Sequence, residues 1–233
     1  MKSPEELFIK SSFGRVWDSV PKEDSMKTIL FQGDSITDCG RSRDNDNYKG
    51  NGYPLRVTGK LGLDYPGEYK FINRGIGGNR ITDVYARIRA DIINLKPDYM
   101  SLLIGVNDVW HEVGGRCDGV PAEKFEKIYD MLLTEVLEAC PDIKIMILGP
   151  YVTKSTATEG VWDFFRTEVD KREAVAKKLA EKHGLKFVPL QSKFDEAIAR
   201  KPEPYWTMEG VHPSEAGHEL IAREWIKAFE EIK

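Results

Sequence analysis

Several residue types and patterns that mark large classes of protein are scarce or absent in this sequence. Its three cysteines, Cys39, Cys117 and Cys140, form no CxxC pair, and an odd number favours a reducing compartment over a disulfide framework. No window approaches the roughly 18 uninterrupted apolar residues of a membrane-spanning helix. HExxH and comparable histidine clusters are also missing, so we expect no metal and no other cofactor.

Charge of one sign is not in excess either. The 233 residues include 34 Lys and Arg against 38 Asp and Glu, a net charge of −4, with no basic block that could follow a nucleic-acid backbone. The first residues are acidic and include a proline, unlike a secretory signal. We therefore expect a cytoplasmic protein that binds neither nucleic acid nor membrane.

Short β-rich apolar runs alternate with segments of helical periodicity along the chain. Such alternation is typical of parallel βαβ units, whose right-handed crossovers place helices on both faces of a sheet. The pattern predicts an α/β fold, a three-layer αβα sandwich around a five-stranded parallel sheet in flavodoxin-like order. The predicted strands are 28–32, 69–73, 99–104, 143–148 and 186–190.

One domain, residues 27–233, accounts for most of the chain, because a hydrophobic content of 41% suits a single sizeable core. Residues 1–26 precede the first predicted strand and carry scattered apolar side chains among charges. We expect this N-terminal extension to pack on the domain or in a subunit contact of a homo-oligomer.

The motif Gly33-Asp34-Ser35-Ile36-Thr37 directly follows the first predicted strand. A hydroxyl at the carboxyl end of a buried strand points into the crevice where open α/β sheets bind ligands. Gly-Asp-Ser is also ordinary turn chemistry, so a catalytic interpretation of Ser35 depends on partners elsewhere in the chain.

A nucleophilic serine needs a general base, and His212 is the best-placed histidine. It precedes the last predicted helix, and Glu209 lies three residues upstream, from where a carboxylate can reach the imidazole. His111 is the other histidine not excluded by position, since His183 ends one predicted helix and His218 lies inside another.

Donors for an oxyanion are expected after the second and third strands, because these loops lie beside Ser35 in a parallel sheet. The closely spaced glycines of 73–79 let a backbone N–H approach a substrate atom, and Asn107 offers an uncharged amide. A phosphate-binding turn is the rival interpretation, but the spacing matches neither GxGxxG nor GxxxxGK[ST].

Gly-Asp-Ser-Ile, the glycine-rich block, Gly-x-Asn-Asp and acid-x-x-His, in this order, resemble the four blocks of the SGNH (GDSL) hydrolase superfamily. The extended forms of the first and third blocks resemble its intracellular acetyl-xylooligosaccharide esterases in particular. The resemblance implies a flavodoxin-like fold with Ser35 as nucleophile and His212 as base. It also implies an oxyanion hole made of the Ser35 and Gly78 N–H groups and the Asn107 amide.

The acid of the triad departs from the family pattern, which has aspartate where this chain has Glu209. Three arrangements stay open: Glu209 completes the triad, another acid such as Asp195 replaces it, or Ser35 and His212 act as a dyad. We favour the first.

The resemblance implies a serine esterase that hydrolyses short-chain esters, above all acetyl esters of carbohydrates, through an acyl-enzyme. The expected partner is a small-molecule ester or acetylated oligosaccharide, and Asp34, Tyr53, Trp110 and Trp206 are candidate substrate contacts. The alternatives are a lipase or thioesterase with a longer acyl pocket and a non-catalytic carbohydrate-binding relative. An α/β-hydrolase is disfavoured because Thr37 replaces the second glycine of GxSxG.

Overall fold

The computed structural model describes residues 26–113 and 115–233. The expected packing of the N-terminal extension concerns residues of which all but residue 26 lie outside the described part. Five strands form one parallel sheet in the order β2-β1-β3-β4-β5, which confirms the flavodoxin-like prediction. The strands are β1 (Lys27–Gly33), β2 (Tyr69–Asn73), β3 (Tyr99–Leu103), β4 (Lys144–Leu148) and β5 (Lys186–Val188).

Helices connect the strands and cover both faces of the sheet, as in the predicted three-layer sandwich. Two 3₁₀ turns, Ile93–Leu95 and Glu159–Val161, precede β3 and the longest helix. The α-helices are α1 (Ser35–Asp38), α2 (Tyr53–Asp64), α3 (Ile81–Ala86), α4 (Ile88–Asp91), α5 (Val106–Val113), α6 (Ala122–Ala139), α7 (Trp162–Lys182), α8 (Leu190–Arg200) and α9 (Glu215–Glu230).

Each face of the sheet has its own core because successive strand side chains point to opposite faces. In β1, Ile29 and Phe31 belong to the core that also contains side chains of α2, α8 and α9. Leu30 belongs to the other core, with side chains of α3, α6 and the second half of α7. The strand is therefore buried on both sides, and its carboxyl end is left to carry the serine motif.

The predicted strands agree with the observed ones to within two residues. The largest difference is in β5, which ends at Val188 rather than at residue 190. Pro189 has no N–H to donate to a sheet, and Leu190 already begins α8. In the described part of the chain, none of the helices combines the length and apolar character needed to cross a bilayer.

Candidate active site

Ser35 begins the short helix α1 immediately after β1 and is half-buried. The preceding Asp34 caps this helix, because its Oδ1 accepts a hydrogen bond from the Ile36 N–H at 3.0 Å. As the first residue of the helix, Ser35 has an N–H without a carbonyl partner inside the helix. Both its hydroxyl and its N–H are therefore presented at the carboxyl edge of the sheet.

His212 lies between Ser35 and Glu209 in a continuous chain of hydrogen bonds. Its Nε2 is 2.9 Å from Ser35 Oγ, and its Nδ1 is 2.5 Å from Glu209 Oε1. The same Glu209 oxygen accepts the His212 backbone N–H at 3.0 Å. Glutamate therefore reaches the imidazole from its own segment, residues 206–213, which we call the histidine loop.

The charges of this pair stabilise each other. The hydrogen bond to Glu209 raises the pKa of His212, although burial opposes the shift. Burial alone would raise the pKa of Glu209, but its hydrogen bonds to His212 outweigh burial and lower it. An ionised Glu209 favours the tautomer with the proton on Nδ1, which leaves the Nε2 lone pair facing the serine hydroxyl.

Asp195, the alternative acid, lies elsewhere. Its two carboxylate oxygens each accept a hydrogen bond of 3.1 Å from Arg166. It also binds Gln191 in α8. This carboxylate is therefore engaged in a surface ion pair rather than directed at His212.

The Asn107 amide lies at the beginning of α5 and is buried. It donates one hydrogen bond to the Asn79 backbone oxygen at 3.1 Å. Because an amide nitrogen carries two hydrogens, the second is left for another acceptor. The bond to Asn79 also fixes the orientation of the amide against the neighbouring loop.

That loop, residues 74–79, which we call the glycine loop, lies against the serine. A Cβ added to Gly77 would be 3.8 Å from the Ser35 Cβ. Gly78 has a φ of +80°, in the left-handed region that favours glycine, so a side chain there would strain the backbone. Gly77 thus lies beside Ser35, and Asn107 is bonded to the same loop. The oxyanion hole of Ser35, Gly78 and Asn107 stays a prediction.

Charged side chains fasten the glycine loop to the helix that carries the serine. Asp38, at the end of α1, accepts a hydrogen bond from the Gly77 N–H at 2.9 Å and pairs with Arg43 at 2.5 Å. Arg41 and Arg43 both donate to the Gly75 carbonyl oxygen, at 2.7 and 2.9 Å. Sequence reasoning missed this clamp; its one signal was an acid three residues after the serine.

The histidine loop is held partly by uncharged groups on the segment that follows β4, and the Glu203 carboxylate accepts its Trp206 and Thr207 N–H groups at 2.9 and 3.0 Å. The Tyr151 hydroxyl donates to the Val211 carbonyl oxygen at 3.1 Å, and the Thr153 N–H donates to the Gly210 oxygen at 2.8 Å. Thr158 in turn donates to the Thr153 carbonyl oxygen at 2.6 Å. All three of these hydroxyl-bearing residues are buried.

A cavity of about 440 Å³ opens at Ser35 and His212. The cavity extends over α1, the loop after it and the start of α9. Its walls are partly apolar, with Ile36 and the exposed Met208, and partly polar, with Asn51. The volume accommodates a ligand larger than an acetyl group.

None of the four candidate substrate contacts lines this cavity, and three of them are buried, contrary to the expectation for those three. Tyr53 is fully buried, and its hydroxyl bonds the Thr37 hydroxyl at 3.0 Å. Trp206 is buried and donates its indole N–H to a backbone oxygen. Asp34 is buried, and burial raises its pKa to about 7. Trp110 is half-buried, with its ring 6.3 Å from the His212 ring, and stays a candidate.

The other three histidines do not take part in the hydrogen-bonded chain of Ser35, His212 and Glu209. His218 forms part of the cavity wall, where its Nδ1 accepts the Tyr53 N–H at 3.1 Å, and burial lowers its pKa to about 4. His111 lies 3.2 Å from Asp118. His183 ends α7, as predicted, and its Nε2 contacts Asp130 at 2.7 Å. Among the described residues, no group of three or more His, Cys, Asp or Glu could hold a metal ion.

Comparison with known proteins identifies close relatives over most of the chain. An acetylxylan esterase from Geobacillus stearothermophilus is 34% identical over 214 residues, 87% of this chain and 94% of that protein. A catalytic mutant of that esterase has a solved structure with a TM-score of 0.78 and 32% identity, covering 88% of this chain and 94% of its own. A GDSL-like protein from Parabacteroides merdae has a TM-score of 0.82 and 36% identity, covering 90% and 99%.

Catalytic mutants of the Geobacillus esterase replace a serine, an aspartate and a histidine, the aspartate three positions before the histidine. Glu209 and His212 have the same separation here. The model of the GDSL-like lipase/acylhydrolase family matches residues 31–220, which include the serine motif, the glycine loop and the histidine loop. These matches confirm the resemblance stated from the sequence blocks, and the chain belongs to the GDSL-like lipase/acylhydrolase family.

Proposed function

We propose that this carboxylic ester hydrolase removes acetyl groups from carbohydrates, with Ser35, His212 and Glu209 as its catalytic triad. The observation that carries the proposal is the hydrogen-bonded chain from Glu209 through His212 to the Ser35 hydroxyl, with distances of 2.5 and 2.9 Å. The carbohydrate ester is supported by the related acetylxylan esterase and by a cavity too large for acetyl alone.

In the first half-reaction, His212 Nε2 takes the hydroxyl proton as Ser35 Oγ bonds to the ester carbonyl carbon. The carbonyl electron pair moves to its oxygen, where the Ser35 and Gly78 N–H groups and the Asn107 amide stabilise it. The bond to the sugar oxygen then breaks, and that oxygen receives the proton from Nε2. The products are a free hydroxyl on the sugar and acetyl-Ser35.

In the second half-reaction, water replaces the sugar. His212 Nε2 takes a proton from water as the water oxygen attacks the acetyl carbon. The bond to Ser35 Oγ breaks, and Nε2 returns the proton to that oxygen. Acetate leaves, and Glu209 stabilises the imidazolium in both half-reactions without itself being protonated.

The test is a series of p-nitrophenyl acetate, butyrate and octanoate, together with acetylated xylooligosaccharides from which acetate release is measured. We expect activity to fall steeply with acyl length, acetate to be released from the sugars, and Ser35→Ala to abolish both activities. Equal turnover of the longer esters would favour a lipase or thioesterase. Absence of a stoichiometric burst with an activated acetate would favour a non-catalytic relative.

The cellular location and assembly stay predictions. We expect the protein in a reducing, cytoplasmic compartment, because three cysteines without a CxxC pair suit such a compartment better than a disulfide framework. Light scattering of the full chain and of a variant without residues 1–20 tests the homo-oligomer and the contribution of the N-terminal extension. An unchanged mass and an unchanged Tm would contradict a subunit contact or packing role for that extension.

A further inference from the structure

A second cavity, of about 450 Å³, lies at the same edge of the sheet on the side of β4. Its walls come from the end of α5, the segment after β4 and the first turn of α7. We propose that it binds sugar units of the substrate beyond the one whose acetyl group is at Ser35. This inference rests on the proposed function, because it assigns a second part of the same oligosaccharide to a second cavity.

Trp110 lies between the active site and the second cavity. The Trp110 ring is 6.3 Å from the His212 ring and 5.6 Å from the Phe165 ring. Val113, which lines the cavity, is three residues after Trp110 on α5, so it lies on the same side about one turn, or roughly 5 Å, further on. Trp162, also in the cavity wall, is likewise three residues from Phe165 on α7.

The sheet gives an independent measure of the separation. Ser35 follows β1, and Lys154, in the cavity wall, follows β4. These strands are two positions apart in the sheet, and neighbouring strands are about 4.8 Å apart, so their ends are separated by roughly 10 Å. The Thr153 N–H, next to Lys154, bonds the Gly210 carbonyl oxygen of the histidine loop at 2.8 Å. The second cavity therefore lies beside the loop that carries His212, on the side toward which a longer oligosaccharide could extend from Ser35.

The chemistry of the cavity suits a neutral sugar. Phe164 is 52% exposed and Val161 is 38% exposed, beside the half-buried Trp162. Aromatic faces of this kind pack against the C–H faces of pyranose rings. Lys154 and the carboxylates of Glu159 and Asp163 supply donors and acceptors for hydroxyl groups, and two carboxylates against one ammonium disfavour an anionic ligand. The three charged residues are exposed, and all of them line this cavity.

The experiment compares Phe164→Ala with Leu63→Ala as a matched control, because Leu63 is an exposed apolar residue of α2, 79% exposed and outside both cavities. For Phe164→Ala we expect kcat/KM on acetylated xylotetraose to fall about three- to tenfold through KM, the loss of one aromatic contact. Activity on p-nitrophenyl acetate and on acetylated xylose should not change. Leu63→Ala should resemble the wild type on all three substrates.

Binding supplies a second readout that does not depend on turnover. Unacetylated xylotetraose titrated into Ser35→Ala protein should bind more tightly than into the Ser35→Ala, Phe164→Ala double variant. Equal losses on all substrates, or unchanged oligosaccharide kinetics and binding, would overturn the assignment of the cavity. Failure of the wild type to release acetate from any acetylated sugar would instead overturn the proposed function. The two outcomes are distinguishable, because the first is seen in a comparison of the variant with an active wild type and the second is seen in the wild type itself.

Discussion

The two loops beside Ser35 differ in the contacts that hold them. Around the histidine loop, the hydroxyls of Tyr151, Thr153 and Thr158 make uncharged hydrogen bonds in the protein interior. Around the glycine loop, the Asp38 carboxylate accepts the Gly77 N–H and pairs with the Arg43 guanidinium, and the Arg43 side chain is 49% exposed. The Glu203 carboxylate also accepts the Trp206 and Thr207 N–H groups of the histidine loop. The difference therefore lies in Arg43, since the carboxylate that holds the glycine loop is paired with a guanidinium that reaches the solvent.

This difference separates two requirements of catalysis. The base must keep one tautomer and one distance from the serine, and buried neutral bonds are costly to break and insensitive to salt. The oxyanion donors must be near developing negative charge, and Arg43 offsets the negative charge of Asp38 there. We infer that salt displaces the Gly77–Gly78 backbone more than it displaces His212.

The largest effect is expected when the histidine loop loses the carboxylate that orients its base. Glu209→Ala should lower kcat by up to ~10⁴, as removal of the orienting acid does in a serine protease, because His212 would then lose the tautomer with a free Nε2 lone pair. The measurement is kcat on p-nitrophenyl acetate. A loss of less than tenfold would remove Glu209 from the triad.

The control for this prediction is Glu209→Asp, which keeps the charge but shortens the side chain by one methylene. It should retain more activity than the alanine variant, because a carboxylate can still approach Nδ1. Equal inactivity of the two variants would show that the histidine loop needs the full length of the glutamate side chain to place a carboxylate at Nδ1.

The next largest effect tests the other side of the comparison. Asn107→Ala removes one of the three donors proposed for the oxyanion, and loss of one such donor typically costs about 10² to 10³ in kcat. KM should change much less, because the negative charge develops only in the transition state. Steady-state kinetics on p-nitrophenyl acetate separate the two constants, and an unchanged kcat would exclude Asn107 from the hole.

The fold and the reacting groups could be predicted from sequence because they depend on local patterns. Strand runs, the serine at a strand end and the Glu-x-x-His spacing are each contained within a few residues. Because the carboxyl ends of parallel strands lie at one edge of the sheet, the order of these motifs also predicts that they lie close together. The clamp formed by Asp38 and Arg43 could not be predicted, because it joins the ends of two different strands through side-chain geometry. Tyr53 was expected to contact the substrate but is buried, because proximity to Ser35 in sequence does not determine which face of a helix a side chain occupies.

A matched pair of variants tests the two kinds of support directly. Asp38→Ala removes the acceptor of the Gly77 N–H, and hydrogen bonds to charged groups contribute about 1.5–3 kcal/mol, so we expect kcat to fall roughly 10- to 100-fold. Tyr151→Phe leaves the buried Val211 carbonyl without its donor, so it should lower the free energy of unfolding by about 1–3 kcal/mol.

The two variants should differ in which property they change most, kcat or the free energy of unfolding. Asp38→Ala should affect kcat more than chemical denaturation, and Tyr151→Phe should affect denaturation more than kcat. If both variants lost stability and activity in the same proportion, the distinction between the loops would not hold.

The pH dependence provides a smaller, directional test of the histidine loop. His212 acts as a base only when neutral, so kcat/KM should fall as the pH drops through its pKa, which the bond to Glu209 raises above the ordinary value. Glu209→Gln removes the charge that causes this shift. The acidic limb of its residual activity should therefore move to lower pH, and a limb that stayed in place or moved upward would show that Glu209 does not set this pKa.

The smallest expected effect is the response of the wild type to salt. Raising NaCl from about 0.1 M to about 1 M shortens the screening length from about 10 Å to about 3 Å. The Arg43 end of the Arg43–Asp38 pair is half exposed, and ion pairs at the surface contribute about 0–1 kcal/mol, so kcat should fall at most about fivefold. Arg43→Gln should lose this salt dependence, whereas Tyr151→Phe should keep it, because its substitution leaves the ion pair intact. An identical response of both variants would assign the salt effect to the rest of the protein and leave the glycine loop as rigid as the histidine loop.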